Sequence, residues 1–144
     1  MTVVEAEDEK GKFEELDRAE CLELLAGESI GRLATCVDGQ APEVVPVNFS
    51  LDGEFVVIRS APRRAVELRS RPASFQVDRF DYSRKLGWSV LVRGWLALND
   101  GDSDIDVSTW APGERPVLLQ LEPEQITGRR IAPAPYYISD AGYL

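Results

Sequence analysis

The chain has 144 residues, 44% of them apolar, with 25 acidic against 16 basic side chains and no histidine. That length suffices for one domain with a real core and is too short for two ordinary ones, while a formal net charge of −9 opposes approach to nucleic acid or an anionic membrane. The missing histidine removes Ser/His/Asp and Cys/His catalysis and the commonest neutral ligand of zinc, so any chemistry is expected to belong to a cofactor.

Cys21 and Cys36 stand in no metal-type or CxxC spacing, and no apolar run at the N-terminus reads as a leader or a spanning helix. Together these features predict a protein of the reducing cytoplasm.

Residues 1–15, with EAEDEKGKFEE, are charged and weakly patterned and predict a solvated arm. LDRAECLELLAGES predicts a helix: Asp17 is the cap, Glu20 completes a capping box, Ala19, Leu22, Leu25 and Ala26 share a face, and Gly27 ends it. From residue 29 the period changes to two. SIGRLATCV, the turn DG, QAPEVVPVNFS, the turn LDGE and FVVIRS predict a three-stranded meander over residues 29–60. Pro42 and Pro46 cannot donate to a ladder, which makes the second strand an edge or interrupts it around Pro46. Pro62 suits a first helical turn and Pro72 forces its predecessor out of the helical region, giving a short helix over residues 62–71.

ASFQVDRF and GWSVLVRGWLALN alternate as strands around the loop DYSRKL, and Gly94 marks a bend or bulge in the longer one. DGDSDIDVSTWAPGE is an acidic connection able to hold one helical turn, and RPVLLQLEPEQITG carries a strand and a further short strand. Six or so strands, mostly sequential, with two helices predict a mainly β chain. The expected domain is a small antiparallel β-barrel with flanking helices over residues 16–131, between the arm 1–15 and a tail 132–144.

RSAPRRAVELRSRP, residues 59–72, gathers Arg59, Arg63, Arg64, Arg69 and Arg71 in an acidic protein. Three readings compete: the solvated face of a helix, a nucleic-acid patch, or a pocket for one small anion. The stretch has no aromatic residue and the rest of the chain is acidic, which weighs against nucleic acid. A strand ends at Arg59 and Ser60 just before a helix begins, so unpaired N–H groups and guanidinium groups can converge on a phosphate. The solvated helix face stays open beside it.

The ordered series LDRAECLELLAGESIGRLATCVDGQAPEVVPVNFSLDGE, FVVIRSAPRRAVELRSRPASFQVDRFD, GWSVLVRGW, WAPGERP and ITGRRI resembles the pyridoxamine 5′-phosphate oxidase-like flavin-binding split-barrel family, most of all its actinobacterial, nitroimidazole-resistance-like branch. The resemblance covers residues 16–131. It implies a six-stranded antiparallel Greek-key split barrel, FMN-binding split-barrel type, forming a homodimer that holds two flavins between subunits.

By that resemblance the flavin ring lies along Pro46, Val47 and Asn48, and the ribityl phosphate meets Arg59, Ser60, Arg63 and Arg64. Where relatives commonly carry a glycine, a small hydroxyl residue and a lysine after AP, this chain has Arg63, Arg64 and Ala65. Gln76 and Trp88 match strand positions near the groove, each with a packing role as the alternative. Trp110 and Arg115 match positions that reach the cofactor from the partner chain. Arg129 and Arg130 are read as a surface or inter-subunit salt bridge or as a second phosphate contact.

The expected function is an FMN-dependent oxidoreductase acting on a small planar substrate, because a flavin carries the redox step itself. A true pyridoxamine 5′-phosphate oxidase is not expected, since relatives with that activity end in an Arg- and His-containing segment and this chain ends APAPYYISDAGYL. Tyr136 and Tyr137 in that tail are read as packing on the partner or covering the groove. The alternatives are a deazaflavin-coenzyme-dependent reductase and a non-catalytic flavin or haem carrier or scaffold dimer.

Overall fold

The computed structural model describes residues 12–101 and 105–132. Its helices follow from local chemistry. Asp17 sits in extended backbone and its carboxylate accepts the Glu20 N–H at 2.9 Å, which starts helix α1 (Arg18–Ala26); Gly27 closes it with bonds to the Leu24 and Leu25 carbonyls. The buried face is Cys21 and Leu25, both with no exposed surface, rather than Ala19 and Ala26, which are exposed. Cys21 lies over Gly128, where a side chain would collide with its sulfur. That burial, with Asp17 and Glu20 adding, pushes the Cys21 thiol pKa up.

The described residues form eight strands: β1 (Lys12–Leu16), β2 (Ile30–Thr35), β3 (Glu43–Asn48), β4 (Ser50–Asp52), β5 (Phe55–Ser60), β6 (Pro72–Asp81), β7 (Leu86–Leu98) and β8 (Val117–Ala132). The sheet runs β3-β2-β6-β7-β8-β5-β4, with β1 on β8. The order β6-β7-β8-β5 is a Greek key. The sheet's two ends, β3 and β4, are separated in the chain by Phe49 alone, so the sheet curls until its edges meet. The mainly β barrel with flanking helices is therefore present.

The count exceeds the expected six for two reasons. Residues 12–15, assigned to a solvated arm, instead pair with β8 from Lys12↔Ala132 to Leu16↔Gly128, and Leu16 is buried. A composition reading sees only the charges and not the neighbouring edge that takes up the strand's hydrogen bonds. The second expected strand is broken, at Phe49 rather than Pro46. The Phe49 N–H donates to the Ser29 carbonyl at 3.1 Å and its ring meets Phe75 edge-on at 4.8 Å in the core. That kink sends β3 to β2 and β4 to β5, so residues 29–60 do not form one meander; β5 pairs with β8 instead.

The remaining differences are smaller. Helix α2 (Pro62–Leu68) ends before residue 71, because Ser70 takes a left-handed φ of 65° and its N–H donates to the Leu96 carbonyl at 2.7 Å. The two strands expected in 115–128 are one. A bulge opposite Arg93 and Gly94 absorbs the extra residue Glu124, and a side chain on Gly94 would strike the Glu122 carbonyl. The connection after residue 104 forms no helical turn. The core is one cluster built from both helices and the inner face of the sheet, with Phe75, Leu25, Leu96, Leu119 and Leu121 at its centre. Residues 1–11, 102–104 and 133–144, including Tyr136 and Tyr137, lie outside the described residues.

Candidate functional site

Strand β3 is an edge: it pairs with β2 and with no other strand among the described residues. Alternate N–H and C=O groups of such a strand lack ladder partners and can accept a ligand, Pro46 excepted as a donor. Pro46 is exposed and Val47 half-buried against the core, so only part of this segment is free for a ring to lie on.

Asn48 ends the strand and ties two neighbours to it. Its Nδ2 donates to the Ser29 carbonyl at 3.2 Å, and its Oδ1 accepts the Trp110 N–H at 2.8 Å. One amide N–H and one carbonyl lone pair remain for a further partner.

The Trp110 contact belongs to a larger attachment. Ser50 Oγ donates to the Asp106 carbonyl at 3.0 Å and Arg59 Nε donates to the Val107 carbonyl at 2.6 Å. Val107 is buried at 2% exposure, while Trp110 is 72% exposed. Arg115 folds the tip of this segment through its Nη1, which lies 2.9 Å from the Pro112 carbonyl and within reach of those of Ala111 and Gly113. Asn48, Arg59, Trp110 and Arg115 thus belong to one region, but Arg59 and Arg115 spend donors on main-chain oxygens. Sequence reasoning missed Ser50, whose role depends on a contact 56 residues away.

The five arginines separate by partner. Arg64 pairs with Glu43 at the start of β3 at 3.0 Å and with Glu67 one turn on. Arg71 meets Asp38 at 3.1 Å and donates to the Glu67 carbonyl, closing the end of α2. Arg59 lies 3.9 Å from Asp106. Arg63 and Arg69 meet no carboxylate among the described residues. The cluster is largely neutralised by acids from the β2–β3 connection, from α2 and from the segment before Trp110. Glu43, Asp38 and Asp106 carried no local signal; acidic residues scattered over a chain of net charge −9 are unremarkable until folding places them.

Ser60 is buried at 6% exposure and its Oγ donates to the Ala61 carbonyl at 2.9 Å. Ala61 precedes α2 and has no side chain to cap it; Pro62 opens the helix. The backbone N–H groups of its first turn receive no side-chain cap.

Gln76 and Trp88 fall on opposite faces of the sheet. Trp88 is half-buried and packs against the core, the packing alternative considered for it. Gln76 is paired with Arg32 and Leu91 on the outer face, and its Nε2 donates to Ser89 Oγ at 3.1 Å. Ile30, Val44, Pro46, Leu91 and Trp95 share that outer face by register. Beside Trp95 it carries a groove of about 410 Å³ lined by Ala34, Cys36, Pro42, Pro72, Ser74 and Arg93 among others. Arg130 lies near Glu14 (4.0 Å) and Glu20 (3.7 Å) of the same chain, and Arg129 lies over the Phe13 ring.

The family described as pyridoxamine 5′-phosphate oxidase matches residues 17–130. An uncharacterized protein of Mycobacterium tuberculosis is 31% identical over 130 residues, 81% of this chain and 84% of its own. Among solved structures, the FAD binding protein from Mycobacterium smegmatis has a TM-score of 0.65 at 28% identity, covering 84% of this chain and 100% of that one. A FAD-binding protein from Mesorhizobium loti has a TM-score of 0.65 at 25% identity, covering 85% and 98%.

Proposed function

The chain belongs to the pyridoxamine 5′-phosphate oxidase family, and from that premise we propose that it binds a flavin and works as an oxidoreductase on a small planar substrate other than pyridoxamine 5′-phosphate. The relatives named for FAD binding support the flavin, and this chain's own residues fit one. The open main-chain groups of β3 and the unused amide valences of Asn48 suit the polar edge of the ring. The observation that carries the reading is Arg63, a guanidinium without a carboxylate partner among the described residues, on an uncapped first turn directly after β5.

A bound flavin supplies the two-electron step; the protein binds and orients it and excludes competing partners. Arg63 holds the phosphate, joined by Arg64 once it leaves Glu43 and Glu67 and by Ser60 once its hydroxyl turns from the Ala61 carbonyl. Two copies meet through the outer face that carries Ile30, Val44 and Trp95, and the cofactor lies at that seam. A location in the cytoplasm accords with two unpaired cysteines and with the absence, among the described residues, of a helix long and apolar enough to cross a membrane.

A visible spectrum of the purified protein is the first test. The paired bands of oxidised flavin support the reading, and the single band of a deazaflavin or a Soret band redirects it. Titration then compares FMN, FAD and riboflavin on wild type and Arg63→Ala. Loss of one charge-assisted hydrogen bond, about 1.5–3 kcal/mol, weakens FMN by at least tenfold and leaves riboflavin unchanged. Equal FMN affinity for the two proteins removes Arg63 from the site.

A further inference from the structure

Three neighbouring strands each hold one main-chain group of the segment before β8. From β3, Asn48 Oδ1 accepts the Trp110 N–H; from β4, Ser50 Oγ donates to the Asp106 carbonyl; from β5, Arg59 Nε donates to the Val107 carbonyl. Val107 in the same stretch is buried. A segment without regular structure gains fixed geometry here from side chains, because it has no ladder of its own. Yet Trp110, the largest side chain on it, is 72% exposed. Three polar tethers and a buried valine therefore fix the backbone beneath an indole that stays largely exposed among the described residues. The backbone that carries the indole is bonded to Asn48, at the end of the edge strand whose open groups suit the flavin ring.

We propose, resting on the flavin reading above, that Ser50 and Arg59, with Asn48 Oδ1, are positioning residues: they clamp residues 106–110 so that the Trp110 indole forms a wall of the flavin groove. Arg59 then serves the cofactor through the segment it holds. Indole has the area and flat face to stack on a flavin or its substrate, and fixing it in advance removes the ordering cost that a free loop would impose on binding.

Release of FMN from the full-length protein tests this with Ser50→Ala and Trp110→Ala, alone and combined. The Ser50 hydroxyl is spent on the Asp106 carbonyl, so its loss acts on the segment. Ser50→Ala is expected to speed release about fivefold while Trp110 is present, and Ser50→Thr, which keeps the hydroxyl, to restore the wild-type rate. Trp110→Ala speeds release by at least as much, and the double variant is no faster than Trp110→Ala alone. Equal acceleration by Ser50→Ala in both backgrounds, or none in either, overturns the proposal.

A second measurement needs no ligand. Hydrogen exchange at the Trp110 amide should accelerate at least tenfold in Asn48→Ala; unchanged protection would show that the tether is not made. If wild type holds no FMN, FAD or riboflavin, the flavin reading falls and the Trp110 wall with it. If wild type holds FMN and release ignores Ser50, the clamp alone falls.

Discussion

Arg64 shows how a residue can be legible in kind and misleading in strength. Its guanidinium faces Glu43 at 3.0 Å and Glu67 on its own helix, so an incoming phosphate competes with two carboxylates. Both Arg64 and Glu43 keep substantial exposure, 35% and 58% of their side chains, so solvent screens the pair and its worth is about 0.2–1 kcal/mol. Glu43→Gln is therefore expected to tighten FMN binding by up to about fivefold, with riboflavin as the unaffected control. Isothermal titration at low and moderate salt checks it, and the gain should shrink as salt rises. Unchanged FMN affinity would mean that Arg64 stays with its acids and Arg63 works without it. The motif around Arg63 and Arg64 could be found from residue types alone, because strand, proline and arginine are local signals. Glu43 could not, since its partner is 21 positions away and only the β2–β3 pairing brings it across.

At the scale of elements, what could be read is what short-range chemistry decides. Asp17 caps α1 and Glu20 supplies the amide it caps; period-two alternation gives β6 and β7; Gly94 marks the bulge. The elements that escaped reading are those whose shape depends on a distant partner. β1 exists because β8 runs on past β5 and leaves an edge at Gly128–Ala132, and the second expected strand breaks because Phe49 finds Phe75 in the core. The cap gives a quantitative check. Replacing Asp17 by Ala orphans the Glu20 N–H and should cost about 1 kcal/mol, lowering the midpoint of thermal unfolding by a few degrees. Asp17→Asn keeps an acceptor and should recover most of that loss. If both variants melt alike and well below wild type, the carboxylate is stabilising through charge and not as a cap.

For the whole molecule, charge and apolar surface pull against each other. Each copy carries a formal −9, so two copies repel at long range and can associate only through a face that is locally less acidic and apolar enough to offset that repulsion. The outer face offers Ile30, Val44 and Trp95, at 38%, 60% and 46% exposure, in register with Pro46 and Leu91. Arg93 beside them is cationic, and Arg32 is balanced by Asp78 at 3.5 Å. Two consequences follow for a dimer built on this face. Added salt screens the repulsion over about 10 Å at 0.1 M, so association should tighten from low to moderate ionic strength, the reverse of a complex held by opposite charges. Trp95→Glu should remove an apolar anchor and place a second carboxylate beside Glu124 on that face, weakening the dimer by at least tenfold while the monomer keeps its fold, since the Trp95 side chain stands outside the core. Sedimentation velocity across a salt series, with circular dichroism for the fold, reads both effects. If the cofactor lies at the seam, flavin affinity should fall in step with the dimer fraction; a Trp95→Glu monomer that still binds FMN at wild-type strength would place the whole flavin site within one chain.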